Sequence, residues 1–114
     1  MTGGIVTQVM ASTRLETLKS MVAEQPSVSF LRYGLAMEYR NAGDLESAAA
    51  EFRALVGMDP GYSAAYFHFG QTLERLGKLD EARAAYRAGI EVTTGKGDFK
   101  TRDEIRAALE ILGE

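Results

Sequence analysis

A pattern of small and large apolar residues occurs twice in this chain, at a distance of 34 residues. The pairs that share this spacing are Gly43 with Gly77, Leu45 with Leu79, Ala48 with Ala82, and Phe52 with Tyr86. A period of this length is typical of proteins in which each unit is a pair of helices that buries its apolar face against the next unit. The sequence therefore predicts stacked helix pairs.

Apolar residues at three- and four-residue steps predict six helices. The predicted helices are about 13–24, a second that is capped by Ser27 or Ser29 and ends at 41–43, about 45–58, about 63–76, a fifth directly after Gly77, and a last one from about Asp98 or Thr101 to Leu112. Gly43 and Gly77 permit the left-handed backbone that ends a helix, so the turns after the second and fourth helices are short and their flanking helices antiparallel. Asp44 is expected to cap the third helix.

The chain outside these helices is predicted to be short. Residues 1–11 lack periodicity and are expected to form a flexible tail before a single domain at 12–114. Thr13 with Glu16, and Thr101 with Glu104, have the spacing of a capping box, which places helix starts there. The segment 94–97, which contains two glycines, is expected to be a loop.

Composition excludes several classes of protein. The 114 residues are 46% hydrophobic, which is enough for one packed domain. The chain has no cysteine, so disulfides and thiolate chemistry are excluded. A net charge of −3 with both signs interspersed argues against nucleic-acid binding. Residues 1–11 have no basic segment and no long apolar run, and no stretch approaches ~20 apolar residues, so we expect a protein without a leader or a membrane partner, located in the cytoplasm.

These features resemble the tetratricopeptide repeat family, with repeats at 29–62 and 63–96. In the first repeat the residues at signature positions are Leu35, Ala36, Tyr39, Gly43, Leu45, Ala48, Phe52, Leu55 and Pro60. In the second, the residues that match or neighbour them are Tyr66, Phe69, Gly70, Leu73, Gly77, Leu79, Ala82, Tyr86 and Ile90. The resemblance implies an all-α fold, a short right-handed solenoid of antiparallel helix pairs. The helix at 13–24 would be half of a preceding repeat, and the helix at about 98–112 a cap.

In this family the first helix of each pair lines a concave groove that receives an extended peptide or a partner helix. Carried onto this sequence, the groove residues are Phe30, Tyr33, Met37, Arg40, Asn41, Phe67, His68, Gln71 and Arg75. The resemblance thus implies an apolar groove, unless the terminal helices cover these side chains. Relatives that bind chaperone tails hold a terminal carboxylate with lysine, asparagine and arginine. The corresponding positions here carry Tyr33, Met37 and His68, so that clamp is missing.

The favoured function is accordingly a non-catalytic adaptor that binds a protein or peptide in this groove. One alternative is a structural protein that self-associates into a homo-oligomer through exposed helix faces. A weaker alternative is a small enzyme or ligand-binding protein that uses His68. As the single histidine of the chain, His68 cannot form a pair of histidine metal ligands within one chain. We therefore expect no catalytic residue, no metal and no cofactor.

Overall fold

The computed structural model describes the backbone of residues 3–113 and the side chains of residues 13–113. In this part the chain forms six α-helices and no β-strand. The helices are α1 (Gly3–Glu24), α2 (Ser29–Asn41), α3 (Leu45–Met58), α4 (Ser63–Arg75), α5 (Leu79–Lys96) and α6 (Phe99–Leu112). The predicted all-α fold is confirmed.

The turns between helices follow the glycines. Gly43, Gly77 and Gly97 have φ of 84°, 77° and 71°. After each of them the next residue donates its N–H to a carbonyl five residues earlier, for example from Asp44 to Tyr39 at 2.9 Å. This Schellman motif ends α2, α4 and α5. The Asp44 carboxylate accepts from the Ser47 N–H at 3.2 Å, which confirms it as the cap of α3.

The first helix is longer than the sequence pattern predicts. It begins at Gly3, so residues 3–11, predicted to be part of a tail, are helical, while residues 1 and 2 lie outside the described residues. Thr13 lies inside the helix, and its carbonyl accepts from the Thr17 hydroxyl at 2.8 Å. The capping-box interpretation of Thr13 was therefore wrong. No proline interrupts residues 3–24, so a helix formed against α2 extends at little further cost.

The predicted loop at 94–97 was also placed wrongly. Helix α5 continues to Lys96 and ends at Gly97, because that glycine adopts the left-handed backbone. Asp98 then caps α6 by accepting from the Thr101 N–H at 3.3 Å. Thr101 is therefore inside α6 and does not form the predicted capping box with Glu104. Asp98, which is one of the two predicted starts of this helix, is therefore its cap.

The helices pack in the order in which they occur along the chain. Each contacts the next, and α4 also contacts α6. Helices α2, α3, α4 and α5 together form the central core. It includes Ala36, Ala48, Phe52, Leu73 and Ala82, all at most 1% exposed. Smaller clusters join α1 to α2, around Val22 and Leu35, and join α4 and α5 to α6, around Tyr86 and Ile105. The terminal helices thus close the two ends of the stack.

Candidate partner-binding face

Helices α2 and α4 place their predicted groove residues against each other. On α2, Tyr33, Met37 and Arg40 are separated by four and three positions, so they lie on one side of the helix. On α4, His68 and Gln71 lie three positions apart and face them. We call these five residues the α2–α4 face. All five are half-buried, which leaves part of each side chain accessible.

The part of this face around Tyr33 is aromatic. The Tyr33 ring contacts Tyr62 with 5.3 Å between ring centroids, His68 at 5.9 Å, and the fully buried Phe52 at 6.3 Å. Burial, followed by the nearby Tyr62, raises the pKa of Tyr33, while Arg40 opposes the shift. The phenol therefore stays protonated at neutral pH. Tyr62 was missed by the sequence analysis, although an aromatic residue directly before a predicted helix was a usable signal.

The part of this face around Arg40 is polar. Nη1 of Arg40 donates to Nδ1 of His68 at 3.0 Å, and Nη2 of Arg40 donates to Oε1 of Gln71 at 3.3 Å. A guanidinium has no acceptor, so Nδ1 of His68 must accept and the ring proton lies on Nε2. Burial lowers the pKa of His68, Arg40 lowers it further, and Glu104 opposes both. His68 is thus a neutral residue that orients Arg40.

The other predicted groove residues are not part of this network. Phe30 precedes Tyr33 by one turn of α2 and is 65% exposed. Asn41 and Arg75 are exposed, and no side-chain hydrogen bond or ion pair joins them to other described residues. Phe67 contacts His68 edge-on at 5.4 Å and packs against the cluster that contains Ile105. Phe67 therefore packs at the end of the stack that α6 closes.

The profile of the tetratricopeptide repeat family matches residues 33–95, which is more than half of the chain and includes the α2–α4 face. The chain belongs to the tetratricopeptide repeat family. A TPR repeat-containing protein of Pseudomonas aeruginosa, PA0015, is 34% identical over 98 residues, which cover 86% of this chain and 93% of that protein. Both findings concern the same two repeats that the 34-residue period predicted.

Two solved structures are similar to this tetratricopeptide repeat protein. The crystal structure of a tetratricopeptide repeat domain protein from Salinibacter ruber has a TM-score of 0.70 and 37% identity, over 74% of this chain and 93% of that one. The type III secretion translocator chaperone SycD from Yersinia enterocolitica has a TM-score of 0.83 over 94% of this chain and 74% of that one. Its identity is 18%, so it shows the fold alone.

The repeat explains why Phe67 packs toward the cluster that includes α6. Phe67 follows Tyr33 by 34 residues, so the two occupy the same position in successive repeats. Tyr33 packs toward α4, and Phe67 packs in the same way toward the cluster of α6. Helix α6 therefore stands where the first helix of a third repeat would stand. At the other end, α1 contacts α2 near Gly34 and Glu38, which leaves Phe30 uncovered.

Two further findings concern the chemistry that the described residues can carry. Among the side chains of residues 13–113, no group of three or more histidine, cysteine, aspartate or glutamate residues is placed to hold a metal ion. Of the described helices, none combines the length and the apolar character that crossing a bilayer requires.

The lowered pKa of His68 predicts how the stability of this tetratricopeptide repeat protein depends on pH. The folded pKa lies below the ordinary value of 6.5, so the unfolded chain binds more protons between the two values. The contribution of neutral His68 is therefore complete above 6.5 and is lost as pH falls through the folded pKa. Denaturant unfolding of the wild type and of His68→Gln, from about pH 7.5 to about pH 5, measures this effect. The stability advantage of the wild type should shrink over that interval, and parallel curves would contradict the prediction.

Proposed function

We propose that this chain binds an extended peptide or a partner helix on the α2–α4 face, as an adaptor. Family membership supports a protein-interaction module, and the observation that carries the finer proposal is the half-buried state of this face. Tyr33 and Met37 pack against the central core and the His68 ring stacks on Phe52, yet all three side chains stay half-buried. A segment laid on them would complete their burial, and aromatic residues of this kind dominate the energy of many interfaces.

We extend the proposed binding surface from this face to Phe30. Because Phe30 lies one turn before Tyr33 on the same helix and is 65% exposed, it adds an apolar side chain at the end of the face. An exposed aromatic side chain contributes little to the stability of the free protein but much to an interface that buries it. Phe30 is thus the residue whose replacement best separates binding from folding.

Selection of random peptides displayed on phage tests the proposal. Bound peptides should lose at least about tenfold in affinity with Phe30→Ser, since truncation of an aromatic side chain that an interface buries commonly costs more than about 1–2 kcal/mol. The control is Ile111→Ser, because Ile111 is 87% exposed and lies on α6. Both variants should unfold at nearly the temperature of the wild type. Peptides that bind all three proteins equally would refute the proposed face.

Self-association is a second candidate, supported by a different surface. A cleft of about 730 Å³ lies between α5 and α6, and Arg87, Glu91, Arg106 and Glu110 line it without an ion pair to any described residue. Two arginines and two glutamates on one surface can pair with the same surface of a second copy across a two-fold axis. Static light scattering at tens of micromolar decides this: a monomer would eliminate the candidate.

A further inference from the structure

The arginines of this protein differ in how their charge is balanced. Five of the nine pair with a carboxylate at 2.8–3.2 Å; they are Arg14, Arg32, Arg53, Arg83 and Arg102. Four have no ion pair to a described residue; they are Arg40, Arg75, Arg87 and Arg106. Of these four, Arg75, Arg87 and Arg106 are exposed, and water can screen their charge. Arg40 is half-buried, so it is the arginine whose charge is neither paired nor fully solvated.

Arg40 is also held in place. Its two bonds go to Nδ1 of His68 and Oε1 of Gln71, which are both neutral acceptors, and they use two of the five N–H donors of the guanidinium. Partial burial of a cation without an anion costs free energy, and fixing a long side chain in advance lowers the entropy cost of a later contact. The arrangement resembles a receptor for an anion that the free protein lacks.

Other groups around Arg40 are consistent with this. The Tyr33 hydroxyl lies close enough for Arg40 to affect its pKa, and it makes no hydrogen bond to any described residue. On α6, Glu104 affects the pKa of His68 but forms no ion pair with Arg40. Glu38, on the same helix as Arg40, is already paired with Arg14 at 3.2 Å. No described carboxylate therefore neutralises Arg40.

We propose that Arg40 binds a carboxylate of the partner segment, so that the α2–α4 face recognises an apolar segment with one acidic group. The proposal rests on the proposed function and specifies the chemistry of the partner. A guanidinium can bind a carboxylate through two parallel hydrogen bonds, and the Tyr33 hydroxyl is a further donor nearby. Arg40 lies outside the three positions, now Tyr33, Met37 and His68, at which chaperone-binding relatives place their clamp.

The test uses two displayed peptide libraries on the intact protein, one with a free carboxyl terminus and one with only internal random positions. Selected peptides should share an aspartate, a glutamate or a terminal carboxylate at a constant position. Changing that acid to its amide should weaken binding by about 10–100-fold, the effect of losing a hydrogen bond to a charged group. Enrichment in the internal library identifies a side-chain carboxylate. Enrichment only with a free terminus, lost on amidation, identifies the chain end.

Variants of the protein assign the effect to Arg40. Arg40→Gln should bind the acid peptide and its amide equally, because the change in the protein and the change in the peptide each remove the same contact. Arg40→Lys keeps the charge but not the paired donors, so it should show a reduced preference for the acid. Lys100→Gln is the control, since it removes an exposed cation on α6 that has no ion pair to a described residue, and its preference for the acid peptide should equal that of the wild type.

The outcomes separate this inference from the proposed function. Peptides whose binding depends on Phe30 but shows no acidic position would overturn the inference and leave the function standing. An acid preference of equal size in the wild type and Arg40→Gln would also overturn it. If no selected peptide depends on Phe30, the proposed function itself fails. Circular dichroism establishes whether each variant is folded. If Arg40→Gln does not fold, the difference in affinity of Arg40→Lys for the acid peptide and its amide decides whether the inference holds.

Discussion

Replacing Phe52 with alanine is expected to lower the free energy of unfolding by about 3–5 kcal/mol. Phe52 is 0% exposed and lies in the central core, which joins helices from both repeats. Its ring also contacts Tyr33 at 6.3 Å, His68 at 6.4 Å and Phe69 at 6.4 Å. Removal of the ring would leave a cavity between the repeats, under the α2–α4 face. Equilibrium unfolding in denaturant measures the loss, which is a large part of the ~5–15 kcal/mol of an ordinary domain.

The control for this change is Phe30→Ala. Phe30 is 65% exposed, so loss of its ring should change the free energy of unfolding by no more than about 0.5 kcal/mol. The comparison holds the chemical change constant and varies burial alone. A cost below about 1 kcal/mol for Phe52→Ala would show that the core can collapse around the missing ring, contrary to the close packing described above.

Adding one methyl group at Gly70 is expected to cost about 2 kcal/mol, although alanine favours a helix over glycine by about 1 kcal/mol. A Cβ at this position would lie 2.2 Å from Cε1 and 2.5 Å from Cδ1 of Tyr86. The Tyr86 ring is 0% exposed, and its hydroxyl donates to Glu74, so the ring is restrained at both ends. Helices α4 and α5 would have to separate. Thermal and denaturant unfolding of Gly70→Ala measure the effect.

Gly57→Ala is the matched control for this substitution. Gly57 lies in α3 without a positive φ, and a Cβ there would meet no atom within 4 Å. The same methyl group should therefore leave stability unchanged or raise it, by at most about 1 kcal/mol. If Gly70→Ala were as stable as Gly57→Ala, the close approach of α4 and α5 at this glycine would be disproved.

The fold was largely predictable because the repeat fixes both helix pairs. Helix α3 has the predicted bounds, and Gly43 and Gly77 end their helices as expected. The errors at the start of the chain lie before the first repeat, where the 34-residue comparison gives little guidance. At 94–97, Thr94 stands where the first repeat has Pro60, so no proline stops α5 before Lys96. Thr13 was interpreted as a cap, since its spacing to Glu16 fits a capping box, but the same spacing also occurs inside helices.

The candidate site was predicted less completely than the fold. The resemblance to the tetratricopeptide repeat family placed Tyr33, Arg40 and His68 on the same side, and the structure brings them into contact. The sequence could not show that Arg40 lacks a carboxylate partner, because ion pairs depend on distances between helices. It also could not show the contact of Tyr33 with Tyr62, since Tyr62 lies in the connection before α4.

The order in which the helices pack affects how this protein folds. Each helix contacts mainly its neighbours in the chain, so the average contact spans a short stretch of sequence. Chains of low contact order fold in microseconds to milliseconds, because few large loops must close before contacts form. In such linear arrays the end units also fray independently of the centre. Amide hydrogens of α3 and α4 should therefore exchange with solvent more slowly than those of α1 and α6.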